Sequence, residues 1–593
     1  MDASLSRGGA PRGGRLLAEA ALVALLVALS LLAVRFHERD DAPTFDEAIH
    51  LFSGAEALED GSGWLNPEHP PLLKLAGARA LRPLGLATPC EILPCTSSPF
   101  NGYLRWLYAN RAPAHAIVHA GRRPFPWLLA LLAAALHLAV RRYAGPAAGL
   151  LAAGVVALDP TFVAHAAYVH TDVGAALAFL AVTVLAARAG CGTSLGRWLA
   201  AGLALGLGLA TKFSAVLLVP VVVVAPLLAL VPLPGLSAER PAKGVTRDRL
   251  LGAVVALSLA AIVLYAVSSF VVRRMTPEAA ERAVRTYLEG RDARPDEVVF
   301  YSRLARVSPA AGHWAGGLAG VRILSEHGRG ANWFRGETSA RGFPLYFPAA
   351  FLLKSTPAFL VLLAAAAWLA LRKRPRGEED AAPRGEAARA ALLALAVAAG
   401  YFAVSTTSTF NIGARHLLPA WALLAFAAAV ALGRRLAPRP RALAAALLVA
   451  ATGASLVSAG ASPIAYFNVL AGGSEGGRRW FSDSNVDWGQ DLYRLHLFLA
   501  ERGWEETTTI VAYSGVATNY WSRRCRLLDP AKPFGPGRYA VSHVMETLGY
   551  PFTRGIEGEA AARQVEALVK ELHARGRRIA LVGGSITVWD LPG

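Results

Sequence analysis

Residues 16–51 read LLAEAALVALLVALSLLAVRFHERDDAPTFDEAIHL. The apolar run up to Val34 is about 20 residues long, the length at which a helix spans the hydrocarbon core of a bilayer. It stops at a cluster of charges and runs directly into the adjacent acids Asp46 and Glu47. A basic stretch before an apolar run also suits a signal peptide, but no small-residue cleavage site follows Phe36, so an uncleaved first span is expected.

Blocks of the same kind recur along the chain. We read eleven spans, near 16–35, 124–140, 146–164, 173–188, 197–211, 213–232, 250–272, 346–371, 390–405, 416–432 and 442–460. Of the 593 residues, 54% are hydrophobic and 17% charged, too few charges to cover a soluble protein of this size. The fold class expected is a polytopic α-helical membrane protein.

The formal charge of +18 could indicate a nucleic-acid partner, but the positions of the cations exclude that reading. They alternate with the spans. One set of short segments holds Arg7, Arg12 and Arg15; Arg141 and Arg142; Arg188 and Arg197; Arg240, Lys243, Arg247 and Arg249; the run from Arg372 to Arg389; and Arg434 to Arg441. The short segments on the other side hold almost only Lys212 and Arg415. Positive-inside bias then places the N-terminus in the cytoplasm and, with an odd number of spans, the C-terminus on the far side. The expected location is a bacterial inner membrane, with the C-terminus periplasmic.

Three segments are too long to be connectors: an outward loop at 36–123, another at 273–345, and the tail 461–593. The expected division is a membrane domain over 1–460 and a small α/β periplasmic domain over 461–593. Amphipathic patterns at 45–60 and 70–86 suit helices lying on the membrane surface. In the tail, TTTIVAYSG (507–515), RYAVSHV (538–544) and RIALVGGSITVWDL (578–591) read as strands, with a helix at 558–575. The Gly-Gly-Ser of the last run lacks the spaced glycines of a dinucleotide turn, and GLGLATKFS (206–214) lacks the glycine before lysine that a P-loop requires. Cys90 and Cys95 share the first outward loop, and either a disulfide or an unpaired pair fits.

Ionisable residues at a membrane edge are costly to bury and usually face a cavity or a partner. The first outward loop supplies Asp46 and Glu47, then Glu68, His69 and Lys74 in NPEHPPLLKLAG. DPTFVAHAAYVHTD (159–172) supplies His165, His170 and Asp172; Lys212, Lys354, Arg415 and His416 follow at other span ends. Carboxylates can deprotonate a hydroxyl, stabilise an oxocarbenium-like transition state or hold a divalent metal ion, with Asp46, Glu68 and Asp172 as the metal candidates. Lys, Arg and His can neutralise a phosphate. Each residue also has a plainer reading: Asp46 and Glu47 as the first turn of a helix, His165 as an interfacial histidine, Lys74 and Lys354 as snorkelling anchors. In FSDSNVDWGQDL (481–492), Asp487, Trp488 and Gln490 suit binding of sugar hydroxyls and stacking on a sugar face. The competing reading is an Asp-rich helix start with Trp488 packed beneath it.

The order TFDEAIHL, HPPLLK, DPTFVAHAAYVHTD, LATKFS and NIGARHLLP resembles the protein O-mannosyltransferase and aminoarabinose-transferase superfamily, the GT-C fold of glycosyltransferase family 39. NVLAGGSEGGRRWFSDSNVDWGQDL (468–492) further resembles bacterial members with an outward C-terminal domain. The resemblance spans roughly residues 40–500. It implies an inverting transferase that moves a sugar from a polyprenyl-phosphate donor to a hydroxyl acceptor on protein, lipid or glycan. By motif match it casts Asp46 as catalytic base, Glu47 as an acceptor-side or orienting carboxylate and Asp172 as the second acidic site residue. Lys74, Lys212 and Arg415 become phosphate contacts, with Glu68, His69, His170 and His416 around the substrates. Glu68 stands where mannosyltransferases carry Asp, and His69 where aminoarabinose transferases carry Lys, which leaves sugar and acceptor open.

Two other classes share the topology. A secondary transporter would place charges at mid-membrane and show inverted repeats, neither of which occurs here. A lipid-linked glycan polymerase or ligase differs in moving a preassembled chain rather than one sugar.

Overall fold

The computed structural model describes residues 12–92, 99–230, 243–328, 331–372, 382–512 and 524–593. Cys95 lies outside these residues, and so does any pairing with Cys90.

Among the described residues, seven helices are long and apolar enough to cross a membrane: Gly13–Glu38, Ala114–Ala144, Asp172–Gly190, Val245–Val271, Gly385–Thr406, Ala414–Arg435 and Pro438–Ser458. Two bent pairs raise the number to nine if each is one span. Pro146–Ala157 meets Pro160–Ala166 at 63°, and Tyr346–Lys354 meets Pro357–Leu371 at 105°. Proline explains both bends, because it lacks the N–H that would continue the helix. Each second half starts anew at its own cap: Asp159 accepts from the N–H groups of Thr161 (2.9 Å) and Phe162 (3.2 Å), and Thr356 from that of Phe359 (3.3 Å). The shorter apolar helices Leu195–Leu209 and Phe213–Leu228 occupy the places of the fifth and sixth expected spans. Every block expected to span is therefore helical, but four of the eleven are short or broken.

The core of this unit is Ala414–Arg435, which packs against 126–144, 146–157, 172–190, 357–371 and 382–406. Its Ala- and Leu-rich sequence lets neighbouring backbones approach closely, as small residues do in membrane helix packing. Many apolar side chains on the outer helices face outward instead, among them Leu131, Leu138, Ile262 and Leu447.

The first long loop departs from expectation. Helix Phe45–Glu59 does not lie on a surface; ten of its residues, from Glu47 to Ala57, are buried. It packs against Leu72–Arg79, and a Cβ at Gly54 would stand only 2.2 Å from the carbonyl oxygen of Lys74. The second loop forms three Pro-initiated helices, Pro277–Glu289, Pro295–Val307 and Pro309–His327, and a short hairpin of β1 (Asn332–Phe334) and β2 (Glu337–Ser339).

In the tail, residues 462–491 stay packed on the membrane unit: the Lys354 ammonium donates to the carbonyls of Ile464 and Asn485, both at 2.6 Å. Beyond them lie β3 (Thr508–Val511), β4 (Arg526–Leu527), β5 (Gly537–Ser542), β6 (Arg577–Val582) and β7 (Ile586–Leu591), ordered β4-β3-β5-β7-β6. The first three are parallel, the last two antiparallel to their neighbours. Period-two alternation sends Ile510, Ala540 and Val588 towards helix Leu492–Glu501, and Val511, Val541 and Leu591 towards helix Glu559–Arg575. The run expected as one strand at 578–591 is a hairpin, turned at Gly583 and Gly584, both at positive φ. A further helix, His543–Glu557, was not legible as such in the sequence.

Candidate active site

Four interruptions of the helical chain converge on one cavity. Thr44 starts helix Phe45–Glu59 by a capping box with Glu47, which puts Asp46 in its first turn, facing the cavity. The bend after Ala157 and the turn before helix Asp172–Gly190 bring in His170 and Asp172. The break after Leu209 exposes Lys212, and the 3₁₀ turn Ala414–Leu417 presents Arg415 and His416. The cavity has a volume of about 1550 Å³, with Asp46, His170, Lys212 and Arg415 on its wall.

These groups form one electrostatic cluster. Arg415 Nη1 lies 3.4 Å from Asp46 Oδ2, 3.7 Å from Asp172 Oδ2, and in contact with His170 Nε2. His170 Nδ1 stands 2.7 Å from Asp172 Oδ2, and its Nε2 3.7 Å from Asp46 Oδ2. Lys212 forms an ion pair with Asp172. The two carboxylates differ in access: the Asp172 side chain is 0% exposed, that of Asp46 17%. Only Asp46 can meet a group that enters the cavity. Burial would raise its pKa, but the neighbouring His170 and the Arg415 charge outweigh burial and hold it well below the usual carboxylate range.

Neighbouring histidines extend this end. His69 lines the cavity and its ring lies 4.7 Å from that of His50 and 6.3 Å from that of His170. His50 donates from Nδ1 to the Val169 carbonyl at 2.8 Å. Burial keeps both His50 and His69 below the ordinary imidazole range, His50 at about 4.

Other expected site residues fall elsewhere. Glu47 turns away from the cavity into a buried pair with Arg122, at 2.7 and 2.8 Å, and accepts the N–H groups of Thr44 and Val169. Its carboxylate is fully used in holding the first loop to the Val169 backbone, so it fits an orienting role. Lys74 sits behind the wall, donating to the Asn66 carbonyl at 2.8 Å. Its charge is therefore not placed with those of Lys212 and Arg415. Glu68 does line the cavity, but it is paired with Arg291, whose guanidinium lies 3.8 Å over the Tyr287 ring. His165 is buried against Trp488, and Lys354 serves the tail carbonyls already described. Asp46, Glu68 and Asp172 are thus each taken up by a cation. Among the described residues no group of three or more His, Cys, Asp or Glu side chains is arranged to hold a metal ion.

The sugar-binding expectation for Asp487, Trp488 and Gln490 does not match their placement. Trp488 is 2% exposed. Asp487 accepts the N–H groups of Gly489 (3.1 Å) and Val544 (3.1 Å), and Gln490 accepts that of Trp488 (2.7 Å). All three are packed beneath the site.

Sequence reasoning did not single out Arg122, Arg291 or His50. Arg122 is fully buried and lies at the end of a helix that continues into a span. A charged residue inside an apolar stretch was the available signal. Arg291 carried none, being one of many arginines in a polar loop.

Residues 120–268 match the family model of dolichyl-phosphate-mannose-protein mannosyltransferases. The matched stretch contains DPTFVAHAAYVHTD and LATKFS, two carriers of the resemblance read from the sequence. No curated protein sequence matches the chain. Two of the similar solved structures cover nearly the whole of this chain. ArnT from Cupriavidus metallidurans, bound to undecaprenyl phosphate, is similar at 15% identity and a TM-score of 0.45, over 96% of this chain and 99% of that one. The oligosaccharyltransferase AglB from Archaeoglobus fulgidus, in complex with an inhibitory peptide and a dolichol-phosphate, is similar at 13% identity and 0.47, over 97% and 74%.

Proposed function

We propose that this chain, with its mannosyltransferase-family segment at 120–268, is a GT-C glycosyltransferase that takes a sugar from a polyprenyl-phosphate donor and passes it, with inversion, to a hydroxyl acceptor. The observation that carries this reading is the cluster itself: an accessible carboxylate, Asp46, shares Arg415 with a buried one, Asp172, which also holds Lys212. The wall around them is largely apolar, with Ile49, Phe52, Leu217, Leu318 and Val404 among its residues. An apolar wall suits a lipid tail and two cations suit one phosphate.

In this mechanism Asp46 accepts the proton of the acceptor hydroxyl as its oxygen attacks the anomeric carbon. The bond from that carbon to the phosphate oxygen breaks, and the phosphate leaves with the electron pair. Polyprenyl phosphate is already a good leaving group, so its charge needs neutralising rather than protonation, which Arg415 and Lys212 supply. As phosphate takes up Arg415, Asp46 loses its strongest ionic partner and gains basicity. His170 stays between the two carboxylates and keeps the assembly in register.

We place the site at the outer face of a bacterial inner membrane, with the N-terminus cytoplasmic and the tail forming a periplasmic α/β domain, on the alternation of arginine-rich segments. A nucleotide sugar would have to cross the apolar core to reach it, which its charges forbid. The test is transfer by purified protein in liposomes. Label should move from a polyprenyl-phosphate sugar to an acceptor, and Lys212→Ala should weaken use of that donor. Transfer from a nucleotide sugar without lipid carrier would overturn the reading. The cavity exceeds the size of one sugar phosphate, so a preassembled lipid-linked glycan is the second donor to assay. Movement of a whole chain in one step would identify a ligase.

A further inference from the structure

The segment FSDSNVDWGQDL lies outside the family match and outside the cavity wall, yet it touches Arg415 and His170 of the cluster. The Trp488 ring lies 4.0 Å beneath the Arg415 guanidinium and meets the rings of His170, Tyr168 and His165 at 5.0, 5.9 and 5.9 Å. The Ser484 hydroxyl accepts from Arg415 Nε at 3.0 Å and donates to the Ile412 carbonyl at 2.7 Å. The Trp488 carbonyl accepts the Phe45 N–H at 3.1 Å, one residue from Asp46, and the Gln490 carbonyl accepts the Ala42 N–H at 2.8 Å. One turn later Arg494 pairs with Asp41 and Asp491 and donates to the His37 carbonyl at 2.8 Å.

A guanidinium on a long, flexible side chain needs more than one contact to be held in a single orientation, and each immobilised side chain otherwise loses entropy on binding. Here the π-face of Trp488 fixes the plane of Arg415, Ser484 fixes its Nε, and Nη1 is left to the cavity side with Asp46. The ring edge meanwhile prevents His170 from rotating out of the gap between the two carboxylates.

We infer that Trp488 and Ser484 are positioning residues for the transfer reaction: the C-terminal segment forms the floor of the active site and aims Arg415 at the donor phosphate. This rests on the reading of Arg415 as a phosphate ligand. It also gives the tail a role that neither an acceptor-binding module nor a passive appendage would have.

The test uses the full chain in nanodiscs, with undecaprenyl phosphate as the probe and melting temperature recorded alongside. Trp488→Leu should weaken probe binding by roughly tenfold, the scale of a desolvated cation–π contact. Trp488→Phe, which keeps a π-face, should recover most of that loss, and Ser484→Ala should lose a few-fold. Trp589→Leu, in β7 of the tail and away from the cluster, should bind as wild type. In transfer assays Trp488→Leu should also move the acid limb of the rate upward in pH, because a loosened Arg415 no longer holds Asp46 down. Wild-type affinity in a folded Trp488→Leu, or equal losses in the Phe and Leu variants, overturns the inference. If Trp488→Leu does not fold, wild-type affinity in Ser484→Ala does the same. Failure of the wild-type protein to bind the probe would instead remove the phosphate reading beneath it.

Discussion

Arg415 Nη1 lies 3.4 Å from Asp46 Oδ2, so the guanidinium proposed to hold the donor phosphate and the carboxylate proposed to take the acceptor proton neutralise each other. Phosphate and Asp46 therefore compete for one cation. Asp46→Asn keeps the size and removes the competition. Transfer should fall at least about 100-fold, as for loss of a general base. Affinity for undecaprenyl phosphate should rise by about threefold or more, the scale of a partly solvated ion pair. Titration of the variant with the lipid alone checks the second outcome, and weaker binding would sink the competition idea.

A second expectation concerns pH and stability. Glu56 lies nearly three turns beyond Asp46 on the same helix, buried and hydrogen-bonded to Ser62. Burial pushes its carboxyl up to about 7. A raised pKa means that the folded state favours the protonated form. That stabilising contribution is complete below the unfolded value of about 4.3 and is lost as pH climbs through about 7. Glu56→Gln should therefore leave the melting temperature nearly unchanged at pH 5 and raise it relative to wild type at pH 8. Parallel melting curves at both values decide it.

Much of this architecture was legible in the sequence because it rests on periodicity and charge. The apolar blocks, the strands at 508–511 and 537–542 and the acidic first turn at Asp46 each followed from local pattern. What local pattern cannot carry is direction. Asp46 and Glu47 are adjacent, but successive helical residues point about 100° apart. One therefore faces the cavity and the other Arg122, seventy-five positions away. Lys74 and Lys354 likewise read as phosphate-ready cations, yet each ends on backbone carbonyls, Lys354 on those of Ile464 and Asn485. Trp488 carried the right chemistry for a sugar platform, but burial made it a floor. Except for that of Lys74, these outcomes depend on contacts between segments far apart in the chain, 131 positions for Lys354 and Asn485, which a single chain does not announce.

The Glu47–Arg122 pair provides the third expectation. Both side chains are at most 1% exposed, and Arg122 also donates to the Ala42 carbonyl at 2.9 Å. Removing one partner of a buried pair leaves the other uncompensated, at a cost of about 3–5 kcal/mol. Glu47→Ala should accordingly reduce the yield of monodisperse protein and its melting temperature, whereas Asp46→Asn should change neither much. A Glu47→Ala protein as stable as wild type but inactive would move Glu47 from the framework into the chemistry.

The last expectation is topological. Asp46 of the first loop, Arg415 of a span start and Trp488 of the tail meet at one end of the helical unit. At a second cluster the arginine-rich segments meet: Glu386 accepts from Arg142 (3.4 Å) and Tyr143 (2.9 Å) and lies 3.7 Å from Arg188. The two clusters stand at opposite ends of helices 126–144 and 172–190, the first of which carries Arg142 in its last turn and the second Asp172 in its first and Arg188 in its last. Each helix is about 28 Å long by its rise, close to the thickness of a bilayer core. With Trp488 at one end and Glu386 at the other, we expect the tail and the segment around Glu386 on opposite sides of the membrane, the latter cytoplasmic by the arginine bias. Reporter fusions after Gly460 should be active in the periplasm, and fusions within 374–388 in the cytoplasm. A cytoplasmic reading after Gly460 would put Asp46 and Trp488 on opposite sides and make the shared site impossible.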